Sequence, residues 1–141
     1  MKSKAEVAAE LFIGGSNCAQ AVFGAFCEDY GLKASVAFSI ACGLGSGARN
    51  AELCGAVSGA VLVIGLKYGC DTAVCNAKVE EFTERFRELN GHIVCRALLG
   101  CDIATAAGRE DAVSRSLFTT RCLELTKGAS EILAELGYIN S

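Results

Sequence analysis

Apolar residues recur at spacings of three and four along the whole chain, and no stretch sustains strict apolar/polar alternation. That periodicity predicts helices and no sheet. A first helix is expected from Ser3 to Ile13, stopped by Gly14-Gly15. Behind a Ser16-Asn17 cap, a second should run from Cys18 to Tyr30, with Cys18, Val22, Phe26 and Tyr30 forming one stripe. A third is expected from Ala34 to Cys42, a fourth and strongly apolar one from Glu52 to Tyr68, and a fifth from Asp71 to Leu89. The fifth is the most legible. Cys75, Val79, Phe82, Phe86 and Leu89 should face inward, and Glu81 and Arg85 should pair on the outer face. Val94 to Leu99 should form one helical turn, 102–111 a long loop, and a last helix should bury Cys122, Leu125, Ala129, Ile132 and Leu136. The expected architecture is all-α, a single domain over 1–141, with about five to six helices.

Composition narrows this. At 141 residues the chain can bury roughly 70% of its unfolded surface. Its core therefore needs no disulfides. A formal charge of −3 argues against nucleic acid or an anionic membrane as the main partner. The uncharged run from Leu53 to Leu66 is shorter than the ~20 residues a spanning helix requires, so no membrane span is expected. Glu6 and Glu10 interrupt any apolar leader, which points to the cytoplasm, where thiols stay reduced.

The chain carries nine cysteines, an odd number that complete internal pairing cannot satisfy. None are spaced Cys-x-x-Cys, so a site must be assembled from distant segments. Cys18 and Cys54 each fall at an expected helix start, where the positive end of the helix favours thiolate. Gly55 and Gly59, one turn apart, permit close packing against the Cys54 helix or between two copies of the chain. Taken on spacing alone, Cys27, Cys42, Cys70, Cys75, Cys101 and Cys122 read as small core residues.

Asn17-Cys18-Ala19-Gln20-Ala21, the glycine-rich segment Gly43-Leu44-Gly45-Ser46-Gly47, and Cys54-Gly55-Ala56-Val57-Ser58-Gly59 together resemble the C_GCAxxG_C_C redox-active family. Cys95-Arg96-Ala97-Leu98-Leu99-Gly100 and Cys122 continue the likeness in order. The central motif reads Cys-Gly-Ala here where the family's name reads Gly-Cys-Ala. The resemblance implies four functional cysteines: Cys18, Cys54, Cys95 and Cys122. It also implies kinship with the cysteine-bearing domain of split-Soret cytochromes, for which an iron–sulfur centre has been proposed. Covalent haem is not expected, because Cys-x-x-Cys-His is absent.

The four cysteines support three readings. In the first they ligate an iron–sulfur or other metal centre, Gly43, Gly45, Gly47 and Gly55 bring backbone close to it, and single electrons pass to a partner protein. In the second, Cys18 or Cys54 attacks a disulfide or small oxidant and another cysteine resolves it. The third is a zinc-stabilised, non-catalytic module. Gly43–Gly47 lacks a preceding strand and a Lys-Ser/Thr ending, so it is not read as a phosphate loop. His92 reads as a surface residue, and Arg49 and Arg96 as solvated charges.

Overall fold

The helices form where their caps and stripes dictate. The computed structural model describes residues 1–139, and among them stand eight α-helices: α1 (Lys4–Ile13), α2 (Cys18–Phe26), α3 (Ala34–Ala41), α4 (Gly55–Tyr68), α5 (Thr72–Asn90), α6 (Cys95–Leu99), α7 (Ala106–Ser114) and α8 (Arg121–Glu135). Ser3 and Glu6 close a capping box at α1, and Asn17 and Gln20 close another at α2. Asp71 accepts from the Val74 amide to start α5, and Gly91 ends that helix at φ 87°.

The eight helices exceed the five to six expected. The segment 102–111, expected as a loop, is partly helical because the Thr105 hydroxyl accepts the Gly108 amide at 2.9 Å and caps α7. The fourth helix begins at Gly55, later than expected, because Glu52 to Cys54 are drawn into pairing with Ile93 to Cys95. No helix among the described residues is long and apolar enough to cross a membrane.

The main core gathers Val22, Phe26, Val57, Ile64, Phe82, Phe86, Ile132 and Leu133, all essentially inaccessible. Each such side chain contributes about 1.5–3 kcal/mol on burial. Helices α2 and α4 touch backbone to backbone at Gly59, where a Cβ would come within 2.7 Å of the Ala19 carbonyl oxygen. The Gly55/Gly59 face is thus used inside the chain. A smaller apolar cluster of Ala51, Cys95, Leu99, Cys101, Ile103, Ala112 and Cys122 lies beside the main core, and Cys18 packs against both.

Two expectations for α5 fail. Leu89 is exposed at the end of α5. Arg85 reaches across to Glu135 of α8 at 2.6 Å, leaving Glu81 opposite Lys78. A partner on a neighbouring helix replaces the expected pair along the same helix.

Candidate cysteine centre

Short-range geometry carries each of the four cysteines to the start of a helix. Cys18 opens α2, Cys54 caps α4, Cys95 opens α6, and Cys122 is the second residue of α8. Helix starts carry partial positive charge, which favours sulfur as thiolate. Helix α6 is a single short turn, so its share is the smallest.

Asn17 does more than cap. Its amide nitrogen donates to the Cys42 carbonyl at 3.0 Å, and Gln20 donates to the Phe38 carbonyl at 3.0 Å. The Asn-Cys-Ala-Gln segment therefore locks Cys18 against the end of α3. Cys54 and Cys95 are set side by side by a one-pair antiparallel bridge between Leu53 and Val94. The Cys54 amide donates to the Ile93 carbonyl at 2.9 Å, and the Cys95 amide donates to the Glu52 carbonyl.

All four line one cavity of about 170 Å³, at the seam between the two apolar clusters. Phe12, Leu98, Leu99, Ile103, Phe118 and Leu125 supply much of the remaining wall, with Asn17, Ser46 and Arg109 as polar groups. Gly55 lies against Cys18, since a Cβ there would sit 3.1 Å from the Cys18 Cβ.

The expected glycine-rich loop takes a specific shape. Cys42–Leu44 is a tight helical turn, and Ser46, Gly47, Ala48 and Arg49 then take φ of 55°, 61°, 54° and 67°. A left-handed turn costs about 1–2 kcal/mol for each residue other than glycine. At Gly47 a Cβ would fall 2.4 Å from the Glu52 nitrogen, so only glycine fits. Gly47 and Gly55 reach the cavity. Gly45 instead packs on the Asn17 side chain, and Gly43 is exposed with open space around it, so neither lies on the wall.

The thiols differ in acidity. Cys18 is lowered from the ordinary range, chiefly by the neighbouring Cys122 thiol, with Thr126 assisting against the opposing effect of burial. Cys54 is pushed up to about 12 by burial and by the neighbouring Cys18 charge, against the pull of the Ala56 and Val57 amides. Cys95 is pushed up to about 11 by burial and Cys18, partly offset by Arg109 and Arg96. Cys122 is raised, first by its interaction with the Cys18 sulfur and then by burial. The helix-start argument thus separates the two cysteines it favoured: burial overrides it at Cys54.

The remaining cysteines divide. Cys27 is fully buried in the main core, and Cys75 is half-buried on α5. Cys101 donates to Asp111 at 3.1 Å, while Arg115 lies 3.4 Å from its sulfur. Cys42 and Cys70 are exposed, not core as their spacing suggested, because each falls at a helix end. His92 is exposed, and Arg96 pairs with Glu52 at 2.8 Å. Sequence reasoning missed Arg109, which lies in the segment expected as a loop. It also missed Thr126, whose hydroxyl donates to the Cys122 carbonyl at 2.8 Å and whose position, four after Cys122, was the available signal.

A helical protein with four helix-start thiols around one apolar cavity defines a class: a cysteine-centred redox protein. The family model described as "Putative redox-active protein (C_GCAxxG_C_C)" matches residues 16–136, and the chain belongs to that family. No curated protein and no solved structure matches it. Among the described residues, no three His, Cys, Asp or Glu side chains gather closely enough to hold a single metal ion.

Proposed function

We propose that the protein is an electron carrier in which Cys18, Cys54, Cys95 and Cys122 hold an iron–sulfur cluster, with the two-iron form the first expectation. The observation that carries this reading is the shared cavity: four thiols from four helix starts face one space with largely apolar walls. Cys₄ is the donor set such clusters take. A cluster contains sulfide of its own and spreads its protein ligands, whereas one zinc ion draws four sulfurs together at ≈ 2.3 Å bonds. Both take four thiolates, and iron with acid-labile sulfide against zinc alone tells them apart.

The chain's own groups fit that role. Burial and mutual charge oppose ionising several thiols in one cavity, as at Cys54 and Cys95, and a bound cation would relieve that cost. Helix starts and Arg109 offset part of the negative charge. Phe12, Phe118 and Leu125 give the cavity an apolar wall. When bound, the cluster supplies one-electron transfer to and from a partner protein. A reducing compartment such as the cytoplasm suits the remaining free thiols.

The placement of Cys18 and Cys122 on one cavity, with Cys18 the more acidic, favours a second, metal-free reading. The Cys18 thiolate attacks a disulfide and expels one thiolate. Cys122 then loses its proton and attacks the Cys18 sulfur, releasing the second thiol and leaving a Cys18–Cys122 disulfide. A visible spectrum of anaerobically purified protein separates the two. Absorption bleached reversibly by dithionite supports the cluster. A colourless protein that loses two thiols per oxidation supports the disulfide cycle.

A further inference from the structure

Two guanidiniums meet at one neutral hydroxyl on the rim of the cysteine cavity. Arg109 Nη1 donates to Ser46 Oγ at 3.0 Å, and Arg49 Nη1 donates to the same oxygen at 3.4 Å. Neither arginine has a carboxylate partner among the described residues, whereas Arg85, Arg96 and Arg115 each have one. Two like charges sharing one acceptor repel each other and leave most of their donors without protein partners. Arg109 is half-buried, its guanidinium held 5.1 Å over the Phe118 ring and its Nη1 also bonded to the Ile103 carbonyl at 3.4 Å. That placement keeps its fork fixed at the opening, where both Ser46 and Arg109 line the cavity.

We propose that Ser46, Arg49 and Arg109 form a binding site for a phosphate-type dianion at the mouth of the cysteine cavity. Two guanidiniums supply two positive charges and planar donor pairs, which tetrahedral oxyanions accept bidentately. The Ser46 hydroxyl, now the acceptor for both, turns to donate to the anion. A monoanion satisfies only half of that charge. The site stands whether or not the four cysteines carry a cluster, since none of its three residues is a thiol.

The test is calorimetric titration of the full chain with inorganic phosphate at about pH 8, where the anion is mostly the dianion, and with acetate as the monoanion control. Saturable phosphate binding is expected, with acetate weaker. Arg49→Gln and Arg109→Gln should each weaken it by about tenfold or more. Arg121→Gln removes a charge from a side chain that does not line the cavity and bonds the Leu98 carbonyl instead of Ser46, and should leave affinity within about twofold. Circular dichroism of each variant reports folding, and Arg109→Lys, which keeps the charge, should retain part of the affinity. The proposal is overturned by absence of saturable binding to the unsubstituted protein. It is equally overturned if either glutamine variant binds undiminished while folded, or if Arg121→Gln weakens binding as much as Arg109→Gln.

Discussion

Cys18 and Cys122, in the first turns of α2 and α8 and far apart in sequence, line the same cavity, and their interaction lowers the pKa of Cys18 while raising that of Cys122. Cys18 is thereby the more readily ionised sulfur of the pair.

Cys18 should therefore react first. In metal-free protein, iodoacetamide should label Cys18 at lower pH than Cys54, Cys95 or Cys122. Cys122→Ala removes the neighbouring thiol and should move the Cys18 labelling profile upward by about one to two pH units. Peptide mapping across a pH series reads this directly; an unmoved profile would show that Cys122 does not set the acidity.

Stability of the metal-free protein should fall in alkali. The folded state keeps protons on Cys54 up to about 12 and on Cys95 up to about 11, against an ordinary value of 9.0. Between those limits the unfolded chain binds fewer protons than the folded one, so stability falls as pH rises. Each group contributes about 1.4 kcal/mol per pH unit in that window. Urea midpoints under reductant, compared at about pH 8 and about pH 10, should show the loss, and Cys54→Ala should reduce it.

Two glycines of α4 should behave oppositely on substitution. Gly59→Ala puts a Cβ 2.7 Å from the Ala19 carbonyl, a backbone atom that can move only with α2. A net loss of about 1–3 kcal/mol is expected even after the better helix propensity of alanine. Gly65→Ala meets nothing within 4 Å and should gain about 0.5–1 kcal/mol. Thermal unfolding of the pair checks the sign of each.

Gly55→Ala is a probe of the site more than of the fold. Its Cβ would lie 3.1 Å from the Cys18 Cβ and 3.2 Å from the Ala19 nitrogen, so small shifts relieve it. Stability should change by less than about 1.5 kcal/mol, while metal content and Cys18 labelling fall together.

Much of this was legible locally. The α8 stripe from Cys122 to Ile132 and the buried Phe82 and Phe86 of α5 follow from spacing, because one face of a long helix must meet the core. The Asn17–Gln20 box follows from residue type. What sequence did not carry is non-local. The Leu53–Val94 bridge shortens α4 and positions Cys95, and it joins segments with no shared periodicity. Cys122 read as core on its own stripe; only the resemblance to the family raised it to the level of Cys18. Its place on the cavity with Cys18 depends on how α8 docks. Arg109 lay in a polar stretch whose helix rests on one threonine cap.

Whether a cluster is bound is read most directly from the iron and acid-labile sulfide content per chain of anaerobically purified protein, measured alongside single serine variants. Near-stoichiometric iron and sulfide are expected in the unsubstituted protein. They should be lost in Cys18→Ser, Cys54→Ser, Cys95→Ser and Cys122→Ser, and retained in Cys27→Ser, Cys42→Ser and Cys70→Ser. Iron and sulfide absent from the unsubstituted protein, or present equally in all seven variants, would contradict a cluster held by these four cysteines.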